Sequence, residues 1–163
     1  MQLKLVNLII VLMSLVSLSS PVLAEKNEMT MAKMEAIVKG LASESEGEKG
    51  RVKFVYQNVQ MFLISDPVNN RMRIFAPIAK YSDLDKAHID AAMISNFSLA
   101  LDARYGVRDG VLFSAYIHPL KELQEEQVKS AVRQVSSLAF TFGTKYTSGE
   151  MAFGVKRKEK SVL

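Results

Sequence analysis

The sequence predicts an α+β fold. Three observations carry this. Apolar residues recur at helical spacing in three separated segments. Alternating segments of strand type follow one another directly between them. The turns that join those strands are short and polar. The expected order is a helix, a three-stranded antiparallel meander, a second helix, a β-hairpin and a long C-terminal helix.

The first helix is expected over 29–41. Met34, Ile37, Val38 and Leu41 fall on one face, and Thr30 is placed to cap the N-terminus. Residues 43–50 (SESEGEKG) are charged and glycine-bearing, and read as a loop. Strands follow at 51–56, 59–64 and 71–76. With Gln57 and Asn58 as a two-residue turn, Tyr56 pairs Val59, Phe54 pairs Met61 and Val52 pairs Leu63. A second turn centred on Asn69 and Asn70 pairs Leu63 with Ala76 and sets Asp66 opposite Arg73. Pro67 cannot donate to a ladder, so pairing stops before it.

Those registers make Val52, Phe54, Tyr56, Met72, Ile74 and Ala76 the core face. The opposite face carries Arg51, Lys53, Val55, Gln60, Phe62, Ile64, Arg71, Arg73 and Phe75. This mixture is neither a wet face nor a core. Either a helix covers it, long basic stems lie over it, or it meets a partner. Lys53, Val55, Phe62, Ile64, Arg71, Arg73 and Phe75 are the candidate partner-binding residues.

The second helix is expected over 81–95, with Ser82 as N-cap and an apolar line of Leu84, Ala87, Ala91 and Ile94. The hairpin lies in ALDARYGVRDGVLFSAYI, residues 100–117. A two-residue Asp109–Gly110 turn would put Arg104, Arg108 and Asp102 on a face with apolar partners. A three-residue loop, Arg108 to Gly110, instead pairs Val107 with Val111, Tyr105 with Phe113, Ala103 with Ala115 and Leu101 with Ile117. The second register separates charge from apolar surface and is the expected one. The last helix is expected over 121–142, with Val128, Ala131, Val132, Val135, Leu138, Ala139 and Phe142 on one broad face and Gly143 ending it.

The N-terminal residues have the layout of a secretory signal peptide. Lys4 precedes an apolar run from Leu5 to Leu18, then Ser19, Ser20 and Pro21 break the helix before Val22-Leu23-Ala24. The run is short of the roughly 20 residues a spanning helix needs. Cleavage after Ala24 is expected, which leaves a single α+β domain over 25–149 and a basic tail over 150–163. The chain has no cysteine. Thiol catalysis, cysteine zinc sites and disulfide scaffolds are thereby excluded. The expected location is the bacterial periplasm or the outside of the cell.

Lysine and arginine number 21 against 17 acidic residues, a net charge of +4. Much of the excess is Lys156-Arg157-Lys158-Glu159-Lys160. The body has no basic stripe, so no nucleic-acid partner is expected. The tail suits at most a weak contact with anionic membrane.

Catalytic patterns are missing. His88 and His118 lack metal-ligand spacing, and Asp83, Asp85 and Asp90 lack the glycine and closing glutamate of a calcium loop. There is no GxSxG elbow, no SxxK and no phosphate-cradling glycine loop. The sequence predicts no enzyme, no cofactor and no metal.

The segment SNFSLALDARYGVRDGVLFSAYIHPLKELQEEQVKSAVRQVSSLA resembles the second half of proteins with the type III secretion chaperone-like fold. It looks closest to the bacterial sensory transduction regulator branch. A helix ends in Asn96, two strands flank a glycine turn, and Leu120, Leu123, Val128 and Val135 follow the pattern of the closing helix. The resemblance implies a compact α+β domain without catalytic residues that often dimerises. Chaperones of this fold bind extended segments of partner proteins. They are typically cytoplasmic and acidic, whereas this chain is basic and begins with an export-type segment. The functional expectation is an exported, non-catalytic protein-binding module, chaperone-like and homodimeric. The alternatives are a small-ligand or lipid-binding envelope protein and, less favoured, an enzyme with a noncontiguous site.

Overall fold

The computed structural model describes residues 28–149. The expected signal peptide and basic tail lie outside the described residues. The fold is α+β, as the sequence predicts. Helix α1 (Met31–Leu41) is followed by β1 (Glu44–Glu48), β2 (Arg51–Tyr56), β3 (Val59–Asp66) and β4 (Arg71–Lys80). A 3-10 turn (Tyr81–Asp83) leads into α2 (Lys86–Ser98), then come β5 (Arg104–Arg108), β6 (Val111–His118) and α3 (Glu125–Phe140). The six strands form one antiparallel sheet in the order β1-β2-β3-β4-β6-β5.

The core lies between one face of this sheet and the helices. Met34 and Val38 of α1 and Val128, Ala131, Val132, Val135 and Leu138 of α3 are buried. They meet Val52, Phe54, Met61, Leu63, Met72, Ile74 and Ala76, all buried on alternate strand positions. Alternation puts every second residue on one face, so this half of the pattern was readable directly. Thr30 caps α1 by accepting from the Lys33 N–H at 3.1 Å, as expected.

The meander has four strands, not three. Residues 44–48 pair with β2 through a two-residue turn at Lys49 and Gly50, whose φ values are +54° and +80°. No apolar alternation marks β1, because every one of its residues is exposed. It is an edge strand defended by charge, and composition alone reads such a strand as loop. Gly50 is required here. A Cβ would lie 2.8 Å from the Ser65 carbonyl oxygen, 2.7 Å from Ser65 Oγ and 2.9 Å from Met31 Sδ. The hydroxyl can rotate away, but the backbone carbonyl cannot. Gly50→Ala is expected to destabilise the domain by roughly 2–4 kcal/mol, combining left-handed strain with overpacking. Urea unfolding checks this: a midpoint within error of the natural chain would show that the β1–β2 turn yields freely.

The β2–β3 register is the expected one, with Tyr56 opposite Val59 and Val52 opposite Leu63. The β3–β4 register is displaced by two residues from expectation: Asp66 pairs Arg71 and Leu63 pairs Ile74. The turn spans four residues, Pro67 to Asn70, and Asp66 holds it by accepting from the Asn69 N–H and side-chain amide. A shift of two leaves every side chain on its expected face. β4 runs past its expected end, with a bulge between Pro77 and Ala79 where proline offers no donor.

The second helix begins later than expected. Asp85, not Ser82, is its N-cap, accepting from the His88 N–H at 2.8 Å. Ala92 and Ser95 are its buried residues, so the expected line through Ile94 is turned outward. Helix α3 is bounded by Gln124, which forms a reciprocal capping box with Gln127, and by Thr141. It starts four residues later than expected.

Candidate functional site

The hairpin reverses one expectation, and this defines the site. Arg108 pairs Val111 and Tyr105 pairs Ser114. The connection is the two-residue turn Asp109–Gly110, with φ values of +50° and +73°, the geometry that matches strand twist. A slip of one residue flips every side chain of β6, while β5 keeps its expected face. Tyr105, Leu112, Ser114 and Tyr116 therefore face the core, while Arg104, Arg108, Phe113, Ala115 and Ile117 face outward.

The polar residues turned inward are satisfied. Ser114 Oγ donates to the Val135 carbonyl at 2.9 Å, and the Tyr105 hydroxyl donates to the Leu138 carbonyl at 2.8 Å. Burial pushes the Tyr105 phenol above its ordinary value. Asn96, at the end of α2, accepts from the Tyr105 N–H at 2.7 Å and donates to its carbonyl at 3.0 Å. It thereby occupies part of the outer edge of β5. Gln134 of α3 accepts from the N–H groups of Asp102 and Ala103 at 2.8 and 3.0 Å, fixing the chain just before β5.

The outward face of the sheet is a set of cross-strand rows. One row reads Glu46, Lys53, Phe62, Phe75, Ala115, Arg104 from β1 to β5. The next reads Glu48, Arg51, Ile64, Arg73, Ile117. On the side of the first row away from Ile64, Val55 pairs Gln60, and Phe113 pairs Pro77 on one strand and Gly106 on the other. Phe62 stacks on Phe75 with ring centroids 5.4 Å apart, and Phe75 meets Phe113 edge-on at 5.6 Å. A shallow apolar groove runs over β3, β4, β6 and β5, lined by Ile64, Phe75, Phe113 and Ile117 with Arg73 and Arg108. Ile117 is 60% exposed and Ile64 38%.

All seven candidate residues from the sequence lie on this face. Lys53, Phe62 and Phe75 share one row, Ile64 and Arg73 the next, Val55 flanks them, and Arg71 stands opposite Asp66. Arg104, Arg108, Phe113, Ala115 and Ile117 were missed. The signal that would have found them is Asp109-Gly110, the strongest short hairpin pair in the chain. It lost to the assumption that Ser114 and Tyr116 face water.

Charge is unevenly spread over the face. Glu44, Glu46 and Glu48 line the β1 edge. The Lys53 ammonium, hydrogen-bonded at 2.8 Å, holds the Glu46 carboxyl below its ordinary value. Both groups are exposed, so this pair adds little stability. Arginines dominate the other end. Arg71 donates to the Asn70 carbonyl at 3.0 Å, and Arg108 pairs Asp109 at 3.1 Å.

Elsewhere, His88 Nδ1 lies 2.6 Å from Asp85 in the first turn of α2, and His118 Nδ1 lies 2.8 Å from the Pro119 carbonyl. Among the described residues, no three side chains of metal-ligand type cluster closely enough to hold an ion. No described helix is long and apolar enough to cross a membrane.

Solved structures share this architecture. A chain of the HopA1–SchA chaperone–effector complex superposes with a TM-score of 0.52 at 12% identity, covering 69% of this chain and 92% of the other. A chain of the ExsC–ExsE complex gives 0.51 at 16% identity, covering 69% and 93%. A chain from the complex of the Yersinia pestis type III secretion chaperone SycH with a stable fragment of YscM2 gives 0.51 at 16% identity, covering 69% and 99%. The fold is type III secretion chaperone-like. No family model matches the chain, and no curated protein matches it.

Proposed function

We propose that this chain is an exported, non-catalytic protein-binding module that works as a homodimer and holds a partner segment on the open face of its sheet. The observation that carries the reading is the outward face itself. It is an apolar groove framed by arginines, and the three described helices pack on the other side. Such a surface, apolar at its centre and polar at its rim, is what a protein interface needs. The likeness to structures described as chaperone complexes supports a chaperone-like role, and the sequence resemblance supports a place near the sensory transduction regulator branch.

Two surfaces divide the work. The open face carries unlike charges and suits a different molecule. The outer side of α2 carries Met93, Ile94 and Phe97, all exposed, beside Val107 of β5. This patch has no charge among those four residues, so it suits a second copy of itself across a two-fold axis. The N-terminal 24 residues direct export and are removed. The apolar pocket between α2 and strands β5 and β6, lined by Leu84, Ile89, Ala92, Tyr105 and Leu112, holds about 270 Å³, below the roughly 300–1,000 Å³ of small-molecule sites, which favours this reading over a lipid or small-ligand carrier.

Affinity capture from the native cell envelope tests the proposal. The mature chain is expected to begin at Glu25 and to retain a protein that the Arg71→Glu, Arg73→Glu double variant loses. Retention of the same proteins by a folded double variant would make the face structural only.

A further inference from the structure

We infer that the segment bound on the open face is acidic, carrying carboxylates between its apolar side chains. The inference rests on the proposal that this face binds protein.

Arg73 is central to the argument. It lies between Ile64 and Ile117 in a cross-strand row, inside the apolar groove. It has no hydrogen bond or ion pair to any described residue. The carboxylates of the same face are engaged or distant. Asp66 is held by Asn69, and Glu46 by Lys53 at the far edge. Arg104 donates only to the carbonyls of Leu101 and Ala103. Over β4, β6 and β5 the face is thus apolar and cationic.

A wholly apolar partner would strip water from the Arg73 guanidinium and return nothing. Burying an unpaired charge in this way is strongly unfavourable. A basic partner would add like-charge repulsion. A carboxylate accepts two parallel N–H bonds from guanidinium, and leucine-like neighbours fill the groove beside Ile64 and Ile117. Polyanions also pair with arginine, but a nucleic acid leaves the apolar lining without a partner.

The test uses the mature chain and three labelled peptides of equal length, in which leucine alternates with glutamate, glutamine or lysine. Fluorescence anisotropy is expected to show the glutamate peptide binding at least about tenfold more tightly than the lysine peptide at low salt. The margin should shrink as salt rises. Arg73→Glu is expected to reverse the order, and Arg73→Met to remove most of the difference while circular dichroism stays unchanged. The inference is overturned if glutamine or lysine peptides bind as tightly, or if Arg73→Glu leaves the order intact. It is also overturned if a single-stranded oligonucleotide or an anionic vesicle displaces the glutamate peptide. Equal binding of all three peptides, abolished by Ile117→Asp, would leave the protein-binding proposal standing and remove the acidic preference alone. Binding of none would remove both.

Discussion

Replacing Ile94 and Phe97 by aspartate is expected to leave the mature chain monomeric at concentrations where the natural chain sediments as a dimer. Phe97 is 90% exposed and Ile94 64%, which is unusual for large apolar residues one helical turn apart. Burying such a side chain is worth roughly 1.5–3 kcal/mol. In a two-fold dimer each counts twice. The double substitution removes that gain and sets four carboxylates close together. The dimer should weaken by more than about a hundredfold, since every 1.4 kcal/mol is a factor of ten. The fold should not suffer, because the buried side of α2 is Ala92 and Ser95, with Ser95 Oγ bonded to the Tyr146 carbonyl. Urea unfolding of the variant monomer should therefore stay near the natural value. A natural chain that is monomeric at every concentration, or a variant that still dimerises, would remove this interface.

Gln134→Leu is expected to cost about 2–4 kcal/mol, as the buried Ala103 N–H and the part-buried Asp102 N–H lose their acceptor at roughly 1–3 kcal/mol for a buried group. Gln134 is 4% exposed. Its oxygen holds the Asp102 and Ala103 N–H groups, and its nitrogen donates to Asp102 Oδ2 at 3.2 Å and Ser130 Oγ at 3.1 Å. Leucine fills nearly the same volume, so lost packing does not account for the change. The same contact positions the entry to β5. Hydrogen exchange should therefore rise at Asp102, Ala103 and Tyr105 before it rises in β3. Gln134→Glu keeps an acceptor for both N–H groups but faces the Asp102 carboxylate. It should fall between the natural chain and the leucine variant. A leucine variant as stable as the natural chain would show that water satisfies the two amides.

The residues differ in how openly they announce their place. Val52, Phe54, Met61, Leu63, Met72, Ile74 and Ala76 alternate without exception, so the core face of the meander was legible. The same alternation placed Phe62, Phe75 and Arg73 together on the outer face. β1 was illegible because an edge strand with two wet faces has no apolar period. The outer side of α2 was illegible for the opposite reason. Its exposed Met93, Ile94 and Phe97 look like core residues, and the narrow contact through Ala92 and Ser95 does not.

The hairpin shows where local pattern ends. By itself, the chain determined an α+β order, the β2–β3 turn and the faces of β2, β3 and β4, because local steric and hydrophobic periods act on neighbours. The inward face of β5 was also legible, but which face of β6 turns inward was decided by the tertiary structure. Two side chains with hydroxyls, Tyr105 and Ser114, enter the core because Leu138 and Val135 of α3 offer them carbonyl acceptors. A buried polar group is tolerated only where such a partner exists. That partner is a distant helix, and it sends Phe113, Ala115 and Ile117 outward to complete the groove around Arg73.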